Sequence, residues 1–285
     1  MDKFISARAR AIEPSPIRRF TNLVKYVPGA ISLTIGQPDF PTPECIKDAG
    51  MRAIENNMTS YTDNRGYIEL RRAIASFLRK RCSLEYSPDD EITVTVGAEE
   101  GIDAAVRTLV NPGDRVLIPS PGYVAYRACT LLSGGEPVFV PAYAEDAFRL
   151  RPDILQRYIT ANTKLLILSY PSNPTGAVMD EHGLSQIAGM ARDNDMAVIS
   201  DEIYSELTYG GDHTSIASLP GMKERTVVIN GFSKAYSMTG FRLGYLAAPA
   251  GIMAHLVKVH QFGVTCAPSI SQAAGIEALK SGGES

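Results

Sequence analysis

No stretch of the 285-residue chain approaches 18 unbroken apolar residues, so no membrane span is expected. A basic excess is also missing. Lys and Arg total 28 against 31 Asp and Glu, a formal net charge of −3, which argues against a nucleic-acid partner. The opening residues, Met1-Asp2-Lys3-Phe4-Ile5-Ser6-Ala7-Arg8, lack the apolar run of a secretory signal, and a cytoplasmic location is expected. Cysteine is sparse and scattered, at 45, 82, 129 and 266, with no C-x-x-C pair. His182, His213, His255 and His260 show no zinc-ligand spacing with the cysteines. No metal site is expected, and the cysteines read as buried or idle thiols in a reducing compartment. No G-x-G-x-x-G follows the first strand, which removes support for a nicotinamide-binding Rossmann enzyme. What the chain does have is a hydrophobic fraction of 45%, ample for a core, at a length that fits one large domain or one domain plus part of another.

The first forty residues are rich in Arg and Pro and read as an arm. Beyond them, strands and helices alternate. Helical periodicity appears over 44–57, 67–81 and 180–194, and Ile102, Ala105, Val106 and Leu109 share one face of a further helix. Strands are expected over 92–96, 115–118, 136–140, 164–169, 196–200, 226–230 and 243–247, with Asn111-Pro112-Gly113-Asp114 a breaker between two of these elements. The alternation implies an α/β fold, a mostly parallel sheet covered by helices on both faces. In such sheets the ligand lies beyond the carboxyl ends of the strands, so the residues just after each strand carry the chemistry.

Four strand ends stand out. Gly97-Ala98-Glu99 opens a helix, whose free N–H groups and positive dipole end suit an anion; an ordinary strand-to-helix turn is the alternative. Glu99 fits beside an anion only if its backbone N–H faces the ligand and its carboxylate points away. Asn173 lies between Pro171-Ser172 and Pro174, in a stiff turn that fixes an amide or serves structure alone. Asp201 ends an apolar strand and needs a partner, a ligand or a helix to cap, and Tyr204 follows three residues later. Lys234 sits among Gly231, Phe232, Ser233 and Ala235, where partial desolvation lowers its pKa and frees the amine as a nucleophile; a lysine reaching into water is the other reading. Together, a lysine, a carboxylate, a phenol, an amide and an anion nest suit a phosphorylated aromatic aldehyde held as a Schiff base.

Ser172-Asn173-Pro174-Thr175-Gly176, Ser200-Asp201-Glu202-Ile203-Tyr204 and Ser233-Lys234-x3-Met238-Thr239-Gly240-x-Arg242-x-Gly244 resemble the class I/II aminotransferases, which are fold-type I pyridoxal-phosphate enzymes. Ile35-Gly36-Gln37-Pro38-Asp39-Phe40 and Tyr61-x4-Gly66-x3-Leu70-Arg71 match in the same order. The resemblance runs from about residue 15 to the end and is nearest to bacterial aminotransferase A-like and aspartate-aminotransferase-like members. It implies that Lys234 forms the Schiff base with pyridoxal 5′-phosphate and that Asp201 partners the pyridine nitrogen. Tyr204 and Asn173 resemble donors to the cofactor's phenolic oxygen, and Tyr123 resembles the aromatic that stacks on its ring. Gly97, Ala98 and Glu99 correspond to the phosphate turn, and Arg242 to the phosphate-binding arginine. By the same resemblance, Tyr61 reaches the phosphate of the neighbouring subunit of a homodimer. Gly36, with Asn173, meets the substrate.

Two departures stand beside this likeness. Many relatives carry Ser three residues before the lysine; Gly231 stands there, and Ser233 is a weaker substitute for the lost hydroxyl. The resemblance also implies a C-terminal small domain beyond residue 285, with residues 1–42 the arm and start of that domain and 43–285 the large cofactor-binding domain. The expected activity is transfer of an amino group between an amino acid and a 2-oxo acid. A β-lyase with the same cofactor, or a non-catalytic chain of the same fold, remains the alternative.

Overall fold

The computed structural model describes residues 2–281. Two short helices, α1 (Ala7–Arg10) and α2 (Pro16–Val24), precede α3 (Glu44–Glu55) and α4 (Ile68–Cys82). The order then runs β1 (Ile92–Thr95), α5 (Gly97–Leu109), β2 (Arg115–Ser120), α6 (Val124–Ser133), β3 (Glu136–Pro141), α7 (Pro152–Gln156), β4 (Thr163–Ser169) and α8 (Glu181–Asp193). It closes with β5 (Ala197–Asp201), β6 (Thr226–Gly231), β7 (Gly244–Ala247), α9 (Ala250–Val264) and α10 (Ser269–Ser281). All seven expected strands form, with ends shifted by at most two residues.

The strands make one sheet in the order β1-β7-β6-β5-β4-β2-β3. Strand β7 runs antiparallel to both β1 and β6, and the remaining pairs are parallel. The mostly parallel sheet is therefore as expected, with one reversed strand. The reversal follows from the link: residues 232–243 hold only a 3₁₀ turn, too little chain for the helical crossover a parallel partner would need.

The period of two along each strand sorts side chains between two faces. Leu165, Ile167, Ile199, Val227, Ile229 and Leu246 pack against α5, α6 and α9 on one face. Their neighbours Leu166, Leu168 and Val198 pack against α7 and α8 on the other. Val228, Tyr245 and Ala247 meet α4 and α10 on that second face. Each Leu or Ile buried in this way contributes about 1.5–3 kcal/mol over its exposed state. With both faces covered, the strands read as near-continuous apolar runs.

Strands β1, β2, β4, β5 and β6 all point the same way, so their carboxyl ends share one edge. Strand β7 starts at that edge, and the residues leading into it lie there too.

Candidate functional site

The turn after β1 is built on close backbone approach. Gly97 has φ +76°, and a Cβ there would lie 2.8 Å from Nη2 of Arg242. At Gly244 a Cβ would come within 2.6 Å of the Ala98 nitrogen and 2.7 Å of the Gly97 carbonyl carbon. Glycine at both positions lets the first turn of α5, the start of β7 and the Arg242 guanidinium share one small space. The first-turn N–H groups of α5 lack helical acceptors and face the same edge. The Glu99 carboxylate turns aside and accepts from Tyr123 Oη at 3.0 Å. The carboxylate that looked wrong beside an anion is thus engaged elsewhere. Arg242 itself has φ +50° and donates from Nη1 to the Thr239 carbonyl at 3.3 Å.

Asp201, the last residue of β5, is 4% exposed. No α-helix starts there, which removes the capping alternative; Oδ1 instead accepts from the Ile203 N–H at 3.3 Å. Oδ2 accepts from Tyr126 Oη at 2.7 Å. Burial raises the Asp201 carboxyl from an ordinary 3.8 to about 6, against the lowering pull of those two hydrogen bonds. Tyr204 lies close enough for that carboxylate to add to the rise in its own phenol pKa, which burial dominates.

Lys234 follows β6 in the turn toward Arg242. Its pKa is lowered, first by burial and then by the neighbouring Arg242 charge. Nζ lies 5.6 Å from the centre of the Tyr204 ring and donates a hydrogen bond to the Gly36 carbonyl, 198 residues away in sequence. At Gly231, three before the lysine, a Cβ would meet the Gly244 Cα and the Leu243 carbonyl oxygen at 3.0 Å, so a side chain there requires the neighbouring backbone to give by a few tenths of an ångström.

The fold therefore brings Gly97, Ala98, Glu99, Tyr123, Asp201, Tyr204, Ser233, Lys234, Arg242 and Gly36 to one edge. Asn173 is half-buried on the loop after β4, the strand whose last residue, Ser169, pairs with Asp201. Tyr61 is 87% exposed and makes no contact with this cluster.

The family profile for aminotransferase class I and II matches residues 28–284. The chain belongs to this family. Among curated proteins, a probable N-acetyl-LL-diaminopimelate aminotransferase of Bacillus subtilis is 47% identical over 282 residues, covering 99% of this chain and 71% of that one. A putative aminotransferase of the same organism, YugH, is 46% identical over 284 residues, covering 100% and 74%. Among solved structures, the aspartate aminotransferase of Thermus thermophilus with maleate superposes with a TM-score of 0.93 at 35% identity, over 96% of this chain and 72% of that one.

In this member of the aminotransferase class I and II family, two residues that the sequence did not single out support the candidate site. Tyr126 is one: it sits one helical turn beyond Tyr123 on α6, and the two rings meet edge to face at 5.6 Å. The i, i+3 spacing was the available signal, but a tyrosine on an amphipathic helix also reads as core. Glu100 is the other, its Oε2 accepting from the Val96 N–H at 3.1 Å to close the turn at the end of β1.

Proposed function

We propose that the chain supplies the large cofactor-binding domain, residues 43–285, and the N-terminal arm and start of the small domain, 1–42, of a pyridoxal-phosphate-dependent aminotransferase acting on an amino acid and a 2-oxo acid. The single observation that carries this reading is the shared edge: a lysine with a lowered pKa, a buried carboxylate and a glycine-walled anion cup. The residues fit the cofactor chemically. The Arg242 guanidinium, lying so close to Gly97 that a Cβ would come within 2.8 Å of it, and the free N–H groups of the first turn of α5 together suit a phosphate. The Asp201 carboxylate, buried and holding two hydrogen bonds, keeps acceptor capacity for a protonated ring nitrogen.

When bound, the cofactor supplies an aldehyde that takes up the amino group and a ring that accepts the electron pair released at the substrate's α-carbon. The protein's own part begins with Lys234. Burial and the neighbouring Arg242 charge both disfavour the protonated amine, which suits Nζ to take the α-carbon proton as a base and return it as an acid. Asp201 holds the ring-nitrogen proton. At 4 Å such a pair is worth about 1 kcal/mol in water and about 4 at an effective dielectric of 20, a gain of roughly two pKa units. Tyr126 fixes the rotamer of that carboxylate. Tyr204 and Asn173 act as donors to the phenolic oxygen, Tyr123 covers one ring face, and Ser233, Arg242 and the 97–99 amides hold the phosphate. Gly36 and Asn173 meet the substrate. In a homodimer, Tyr61 reaches the phosphate of the partner.

Borohydride reduction of the protein incubated with pyridoxal phosphate, followed by peptide mapping, is expected to leave a pyridoxyl tag on Lys234. A tag on another lysine, or none on folded protein, rejects the reading. Addition of single amino acids to the loaded protein, followed by absorbance, then sorts the amino donors.

A further inference from the structure

The buried stripe of α9 is Met253, Leu256 and His260, and a leucine or phenylalanine would fill the third place by packing alone. His260 is instead 1% exposed with both ring nitrogens facing oxygen. Nδ1 lies 3.1 and 3.2 Å from the two oxygens of Glu100, and Nε2 lies 2.9 Å from the Asn64 carbonyl. Glu100 is the residue that closes the turn after β1 by accepting from the Val96 N–H. Asn64 belongs to the loop that carries Tyr61, and its amide donates to the Thr265 carbonyl at the end of α9 at 2.8 Å. The same loop is gripped by fully buried Gln272, which donates to Thr62 Oγ1 at 3.0 Å and accepts from the Tyr67 N–H at 2.7 Å.

We propose that His260 is a positioning residue for cofactor binding. It braces a subunit's own phosphate turn, through Glu100, against the loop that presents Tyr61, through the Asn64 carbonyl. This rests on the reading above, in which Tyr61 contacts the phosphate of a partner subunit. Its consequence is that the two cofactor sites of a dimer share a strut: what orders one subunit's cup also aims the tyrosine at the other's.

The test is pyridoxal-phosphate titration of the intact protein carrying His260→Leu, Tyr61→Phe, both, or neither. Loss of a hydrogen bond to a charged group predicts that His260→Leu weakens cofactor affinity about tenfold. Tyr61→Phe is expected to weaken binding in the wild-type background and to cost clearly less when His260 is already gone. His260→Gln, which keeps amide donors, is expected to recover part of the loss. Wild-type affinity in a folded His260→Leu protein overturns the proposal, and equal costs of Tyr61→Phe in both backgrounds overturn the link to the Tyr61 loop. Should His260→Leu not fold, Glu100→Ala removes the acceptor at the other end of the strut and is held to the same outcomes. A Tyr61→Phe protein with unchanged affinity in the wild-type background removes the dimer reading and the proposal with it, whereas a wild-type protein that binds cofactor away from Lys234 removes the functional reading itself.

Discussion

The sheet edge and the N-terminal arm are opposites. Every residue of β6 and β7 is buried, and at Gly244, where β7 meets the turn after β1, backbone atoms leave no room for a Cβ. Residues 5–40 include Phe20, Leu23, Tyr26, Ile31, Leu33 and Phe40, all more than half exposed, and α2 has no buried residue although its pattern is strongly amphipathic. The difference teaches where the instructions for each region reside. The sheet is specified by its own alternation of side chains, whereas the arm's apolar side chains stay largely exposed among the described residues. Hydrogen bonds from Lys234 to the Gly36 carbonyl and from the Thr42 hydroxyl to the Ser237 carbonyl, the latter at 2.6 Å, join the two.

The comparison breaks most visibly at the lysine. Lys234→Ala is expected to lower turnover by about 10²–10⁴-fold or more, through loss of the group that moves the proton, while the melting temperature changes little. Steady-state kinetics beside thermal melting checks it; retained turnover would place the chemistry elsewhere.

Next in size is the Asp201 carboxyl. Its folded pKa of about 6 lies above the ordinary 3.8, so between those values the folded protein binds more protons than the unfolded chain. Stability without cofactor is then expected to fall, by roughly 3 kcal/mol at most, as pH rises from about 4 to about 6. A protonated ring nitrogen beside the carboxylate opposes the shift, so bound cofactor should flatten that slope, and Asp201→Asn should remove it. Urea denaturation at several pH values, with and without cofactor, measures all three; an identical slope in Asp201→Asn would assign it to other groups.

A smaller effect is expected at Gly97→Ala. The left-handed backbone costs a residue with a Cβ about 1–2 kcal/mol, and the methyl would press on Arg242. Weaker cofactor binding should exceed the stability loss, which titration set against denaturation will separate. The smallest effect is expected in the arm. Leu23→Ser should change the stability of the isolated chain by no more than about 0.5 kcal/mol, since that side chain is more than half exposed. If the same substitution shifts the oligomeric state measured by sedimentation, the arm's stripe has found its surface.

Much of the sheet was legible because β4, β5 and β6 bury both faces and so appear as uninterrupted apolar runs. Strand-end residues were legible because polar or glycine residues abut those runs, as at Gly97, Asp201 and Lys234. Contacts between distant segments were not. The Tyr126 hydroxyl meets Asp201 across 75 residues and His260 meets Glu100 across 160, and no local pattern sets such pairs apart from ordinary core positions. The direction of β7 lay between these extremes: its apolar run was plain, and the short, helix-free link before it carried the antiparallel sense. Tyr61 was legible only through the family likeness, since its surroundings in a single chain are solvent.

The anion cup is walled by main chain, with β7 lying against the Gly97–Ala98 peptide and no side chain between them. Such a wall leaves mutation nothing to vary. Any atom added at position 244 displaces a strand rather than resizing a pocket, so this corner of the candidate site is fixed by main chain and tolerates no side chain there.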